Sequence, residues 1–151
     1  MPENAVAPSH AHAREFRWPI RAYYEDTDAG GIVYYANYLK FFERCRTEWL
    51  RTLGVNQIEL ARQSRLQFVV TSLECEYKRP ALLDDQLVAS ARLERTGAAS
   101  LLFAQELWRG DELLARGRVK VASVDTVRLA PTPMPSPLLA RLRALVAPAP
   151  A

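Results

Sequence analysis

Histidine is almost missing from this chain. Only His10 and His12 occur among 151 residues, both in the Ala- and Pro-rich stretch MPENAVAPSHAHARE. A pair at i, i+2 in a polar tail without further ligands is no zinc site, and a core without imidazole holds no Ser-His-Asp relay. Cysteine is nearly as scarce. Cys45 and Cys75 show neither disulfide nor metal spacing and read as reduced, buried thiols of a cytosolic protein. No apolar run approaches the ~20 residues of a membrane span. The first 15 residues lack the hydrophobic centre of a secretory signal. No basic block exists either: 20 Lys and Arg are scattered among 17 acidic residues, for a net charge of +3. That balance suits an anionic ligand and gives no nucleic-acid arm.

What remains is an ordinary globular composition, 49% hydrophobic and 25% charged, long enough for one domain with its own core. Residues 1–15 read as a disordered tail, 16–131 as the folded domain, and 132–151 as a Pro-rich segment with a short C-terminal helix and a frayed end. Phe16 to Tyr24 has strand character, with Ile20, Ala22 and Tyr24 on one side. A helix is expected from about Tyr35–Asn37 to Leu53, because Tyr35, Tyr38, Phe42, Cys45, Trp49 and Leu53 recur at helical spacing. Asn37 is a candidate N-cap and Gly54 suits the position after the helix. Residues 56–64 suit a second, short helix, and the period then changes to two. Val69, Thr71, Leu73, Cys75 and Tyr77 fall on one face of a strand. Three further alternating runs follow, separated by Asp84-Asp85, Thr96-Gly97 and Arg109-Gly110-Asp111. The expected order is strand, long helix, then a four-strand antiparallel meander, an α+β fold in which the aromatic helix lies on the sheet.

The chemistry-bearing stretch is Glu25-Asp26-Thr27-Asp28-Ala29-Gly30-Gly31, directly before the helix. A solvated turn with Asp caps is the plain alternative. An EF-hand beginning at Asp26 fails, since Gly30 and Asn37 occupy acidic positions. An aspartyl phosphotransferase would place Thr or Val at Gly30 and add a phosphate loop, and zinc lacks His or Cys nearby. In an extended segment Asp26 and Asp28 would point the same way. A carboxylate beside the unpaired N–H groups of a helix start is a minimal device for acyl transfer: it attacks or activates water, and the N–H groups hold the oxyanion. For Tyr34, Tyr38, Phe41 and Phe42, core packing is the expectation.

The run RWPIRAYYEDTDAGGIVYYANYLKFFERCRTEWLR at 17–51 resembles the YbgC-type acyl-CoA thioesterases, the hotdog-fold enzymes associated with the Tol-Pal system and related to 4-hydroxybenzoyl-CoA thioesterase. The likeness continues through FVV at 68–70, EYKRPALLDD at 76–85 and SLLFAQ at 100–105. It implies a hotdog fold, a long central helix wrapped by a curved antiparallel sheet of about five strands, joined edge to edge in dimers or tetramers with the site at the interface. It implies Asp28 as the catalytic carboxylate, nucleophile or general base, and the Tyr35 N–H as the group polarising the thioester carbonyl. Tyr35 stands where many members carry His, a change a backbone donor survives. Lys78, Arg79, Ser100 and Arg128 are the implied substrate-binding residues, the three cations meeting the phosphates of coenzyme A. No metal or other cofactor is expected, since CoA belongs to the substrate. The implied setting is cytoplasmic, with acyl-CoA as ligand and acyl carrier protein or membrane-associated lipid enzymes as candidate partners. A non-catalytic module binding acyl-CoA or acyl carrier protein is the alternative, though such a binder has no need of Asp28. A hotdog dehydratase would want a histidine with the acid.

Overall fold

The computed structural model describes residues 15–146. The expectations for residues 1–14, His10 and His12 among them, and for 147–151 lie outside the described residues. Strands β1 (Phe16–Arg21), β2 (Leu66–Tyr77), β3 (Gln86–Gly97), β4 (Ser100–Arg109) and β5 (Glu112–Asp125) form one sheet. Three helices accompany it: α1 (Asn37–Thr52), α2 (Gln57–Ser64) and α3 (Ser136–Ala144). The sheet order is β1-β3-β4-β5-β2, every pair antiparallel. With α1 lying across β1, β3 and β4, this is the hotdog arrangement.

The expected four-strand meander is corrected to three. β3, β4 and β5 follow one another as hairpins, but β2 crosses over and pairs with β5, not β3. Alternation gives a strand two faces without naming its neighbour. The face of β2 also differs from the even alternation expected. Its register shifts between Val70 and Ser72, a bulge that puts Val70 opposite Val121 and Leu73 opposite Val119. Those partners belong to the core, so Val70 and Leu73, rather than Val69 and Thr71, share the helix side.

Helix α1 forms because its apolar positions make one stripe: Tyr38, Phe41, Phe42, Cys45, Trp49 and Leu50 are buried. It ends in a Schellman arrangement, with Gly54 N–H donating to Arg51 O and Val55 N–H to Leu50 O, both at 3.0 Å. Gly54 has φ of 78°, the left-handed conformation glycine adopts without penalty. The helix packs tightly on the sheet at Gly117, where an added Cβ would lie 3.3 Å from the Phe42 ring and 3.1 Å from the Glu74 carbonyl. Beside it the buried Gln105 amide ties the layers, donating to Phe42 O at 3.0 Å and Ser90 O at 3.3 Å. Its Oε1 accepts from Arg46 at 2.8 Å. Desolvation lowers the pKa of that guanidinium from its ordinary value. Met134 and Leu142 enter the same core from the C-terminal segment, so α3 packs on the sheet rather than standing apart.

Candidate active site

The acidic loop is not extended. β1 stops at Arg21, and Tyr24–Asp26 forms a single 3-10 turn. Tyr24 is therefore exposed rather than on the buried side with Ile20 and Ala22. The expectation that Asp26 and Asp28 point the same way is corrected for the same reason. Asp26 is buried, its Oδ2 accepting the Tyr23 N–H at 2.8 Å, while Asp28 faces solvent. One carboxylate builds the turn, and the other stands exposed.

Asp28 sits on a tight loop closed by two bonds: Asp28 N–H to Ile32 O at 2.9 Å and Gly31 N–H to Asp28 O at 3.1 Å. Gly31 has φ of 79°. The carboxylate folds back over Gly30, whose N–H donates to Oδ1 at 2.8 Å. The loop is tied to the chain after β2 through a bridge from Ile32 to Leu82 and through Val33 N–H to Ala81 O at 2.8 Å.

The head of α1 is anchored to the same loop. Tyr34 N–H and the Asn37 side-chain amide both donate to Asp26 O, at 2.9 and 2.8 Å. Asn37 is thus the first helical residue rather than the expected cap. Ala36 holds that position, and no side chain caps the helix start. Asn37 N–H is taken by Tyr34 O at 2.8 Å. Among the described residues no acceptor meets the Tyr35 N–H, so a donor stays open at the positive end of the helix.

Asp28, Tyr35, Lys78 and Arg79 line one cavity of about 370 Å³, together with Ile32, Val33, Tyr34, Tyr38, Tyr77 and Pro80. Its wall is a tyrosine cluster. The Tyr38 and Tyr77 rings meet edge-on at 5.0 Å, Tyr77 and Tyr35 at 6.2 Å, and Tyr34 and Tyr35 at 4.8 Å. Tyr38, Phe41 and Phe42 are core residues as expected, but Tyr34 is half-exposed and belongs to the wall. The Tyr38 hydroxyl accepts the Ala81 N–H at 2.9 Å, and burial raises its pKa. Lys78 pairs with Glu76 at 2.8 Å and Arg79 with Glu112 at 3.1 Å, both at the surface. Tyr77 joins this wall although its place in the sequence marks it only as an inward strand position. Nothing local signals that the end of β2 meets the head of α1.

Ser100 and Arg128 are not in this cavity. Ser100 opens β4 opposite Ala122, and Arg128 follows β5 in a turn where its N–H donates to Asp125 Oδ1 at 2.8 Å. Asp125 pairs with the first residue of β2, whereas Tyr77, Lys78 and Arg79 stand at its other end. The Asp125 turn thus lies a full strand length from Tyr77, roughly 35 Å, and Ser100, whose partner Ala122 pairs with Val69, lies roughly 26 Å from it along the strand. Among the described residues no cluster of His, Cys, Asp and Glu is arranged to hold a metal ion, and no helix is long and apolar enough to cross a membrane. A second hollow of about 350 Å³ lies against the sheet, where Arg92, Arg116 and Arg118 pair with Glu94 and Glu106 and the further carboxylates of Glu15, Glu74 and Glu76 leave the lining acidic.

The family model described as the thioesterase superfamily matches residues 30–116. Acyl-CoA thioesterase YbgC of Haemophilus influenzae is 47% identical over 120 residues, 80% of this chain and 88% of its own length. Acyl-CoA thioester hydrolase YbgC of Escherichia coli O157:H7 is 41% identical over 129 residues, 85% of this chain and 96% of its own. Among solved structures, a probable thioesterase from Bartonella henselae superposes with a TM-score of 0.77 at 35% identity, covering 80% of this chain and 99% of that one. The open carboxylate and open N–H therefore stand in a chain that belongs to the thioesterase superfamily, among its YbgC-type acyl-CoA thioesterases.

Proposed function

We propose that the cavity hydrolyses acyl-CoA thioesters to the free acid and CoA, with Asp28 as its reactive carboxylate and the Tyr35 N–H as its oxyanion donor. The observation that carries this reading is the presence of both groups in one cavity, the carboxylate exposed and the N–H without an acceptor. Asp28 either attacks the thioester carbonyl, expelling CoA thiolate and leaving an anhydride for water to cleave, or takes the proton of an attacking water. In both routes the carbonyl oxygen gains charge that a fixed N–H stabilises. No metal or redox cofactor enters either route.

Self-association is part of the proposal. β2 is an edge strand with Val69, Val70, Leu73 and Tyr77 more than a third exposed, a long apolar edge of the kind that recruits a second strand. Antiparallel pairing of β2 with its copy brings the Lys78 end of one chain to the Arg128 end of the other. Arg128 and Ser100 would then serve the partner's site, which accounts for their distance from Asp28. A dimer of such dimers, a cytoplasmic location, and acyl carrier protein, lipid enzymes or the Tol-Pal system as partners complete the reading on family resemblance alone.

The test is thiol release from a panel of acyl-CoAs of different chain length and aromatic character, wild type beside Asp28→Asn. Turnover by the wild type and a loss of at least about a hundredfold in the variant are expected. Bound acyl-CoA without turnover would replace the enzyme with a binding module.

A further inference from the structure

The backbone that presents the open donor is held in an unusual way. Ala36 caps α1 without a side-chain bond, so the helix start relies on bonds to other segments, the Asn37 amide to Asp26 O among them. Tyr34 N–H is tied to Asp26 O and Tyr34 O accepts the Asn37 N–H, but the hydrogen bond that reaches Tyr35's own carbonyl comes from the end of β2. The Tyr77 hydroxyl donates to Tyr35 O at 3.0 Å. The ring of Tyr77 meets that of Tyr35 at 88° and that of Tyr38 at 83°, both edge-on. Tyr77 is firmly based. It pairs with Ala115 in the sheet, and the next two N–H groups, of Lys78 and Arg79, both donate to Leu114 O, at 2.8 and 3.1 Å.

We propose that Tyr77 is a positioning residue, its hydroxyl locking the Tyr35 carbonyl so that the Tyr35 N–H stays aimed into the cavity it shares with Asp28. The inference rests on the thioester-hydrolysis reading above. It transmits the rigidity of the sheet to a helix start that lacks a cap of its own. Burial pushes the Tyr77 hydroxyl up to about 12, so it remains a donor throughout neutral and mildly alkaline solution.

Such a role has a kinetic signature. An oxyanion donor acts on charge that develops in the transition state, so disturbing it lowers kcat and leaves KM in place. Deleting a whole donor costs about a hundredfold or more. Loosening one through a single neutral hydrogen bond should cost about tenfold. Tyr77→Phe removes the hydroxyl and keeps the ring contacts; Tyr77→Leu removes both. The experiment measures kcat, KM and Tm for these two variants, the wild type and Asp28→Asn with one acyl-CoA the wild type accepts. Expected for Tyr77→Phe is a kcat about tenfold lower, a KM within about twofold and a Tm within a few degrees, with a larger kcat loss in Tyr77→Leu. A wild-type kcat in Tyr77→Phe, with Asp28→Asn inactive, overturns the positioning role and leaves the hydrolysis reading standing. A raised KM at wild-type kcat overturns it too, making Tyr77 a substrate contact. A kcat loss that tracks a large fall in Tm and disappears at lower assay temperature reduces Tyr77 to a structural residue. Absence of turnover in the wild type, or full turnover in Asp28→Asn, overturns the hydrolysis reading and the positioning role with it.

Discussion

The Asn37 side-chain amide donates to the Asp26 carbonyl oxygen at 2.8 Å, across eleven residues of chain. Asp28 lies two residues beyond that carbonyl and Tyr35 two residues before Asn37. Together with the Tyr34 N–H, which reaches the same oxygen at 2.9 Å, that side chain sets the spacing between the Asp28 carboxylate and the helix start. Asn37→Ala removes the bond and leaves a half-buried carbonyl one donor short. A loss of about 1 kcal/mol of stability is expected, read as a lower denaturant midpoint at unchanged m, with a kcat loss larger than for an equally destabilising change elsewhere.

Gly30 and Gly31 should respond oppositely to alanine. A Cβ on Gly30 would lie 3.3 Å from Asp28 Oδ1, tight enough to shift the carboxylate, while its backbone tolerates a side chain. Gly30→Ala should lower turnover several-fold with stability kept or slightly raised. At Gly31 the space is open but φ is 79°. Gly31→Ala should cost roughly 1–2 kcal/mol through strain, seen in thermal melts.

Alkaline stability should report Tyr77. Its hydroxyl is raised from 10.0 to about 12, first by burial and then by its neighbour Cys75. A group whose ionisation is harder in the folded state leaves stability intact below the unfolded value and removes it above. The wild type should therefore lose stability as the pH rises from about 10 to about 12, and Tyr77→Phe should lose less over that window. Denaturant midpoints across that range, with tyrosinate absorbance followed in parallel, make the comparison.

Charge on the free edge of β2 should separate subunits. Leu73 is 44% exposed beside the core residue Val119. Leu73→Arg should yield a folded monomer in sedimentation equilibrium, with turnover falling as the dimer is lost. A monomeric wild type would contradict the edge pairing.

The turn at Asp125 offers an acid-side test. The Arg128 and Val127 N–H groups hold the Asp125 carboxyl below its ordinary range, helped by the Arg65 guanidinium. A lowered carboxyl contributes stability above the ordinary range and loses it as the pH falls through and below that range. Asp125→Asn should flatten this acid dependence, measured by thermal melts between neutral and acidic pH.

Much of the architecture was legible in the residues. The aromatic stripe of α1, Gly54 after it, and the alternation of Leu87, Ala89, Ala91 and Leu93 are local patterns, because side-chain periodicity follows from backbone geometry alone. The acidic loop before a helix start was visible for the same reason, as was Asp28 within it. Tertiary structure decided the rest. Whether β2 pairs with β3 or β5 is a long-range choice that alternation leaves open, and the bulge after Val70 depends on the partner strand. The 3-10 turn that buries Asp26 and frees Asp28 needs an anchor on Asn37, and the hold of Tyr77 on Tyr35 spans 42 positions. Ser100 and Arg128 fall at the far end of the sheet from Asp28 because strand length, which no motif encodes, sets that distance. Sequence determined which groups this protein carries; packing of distant segments decided which of them meet.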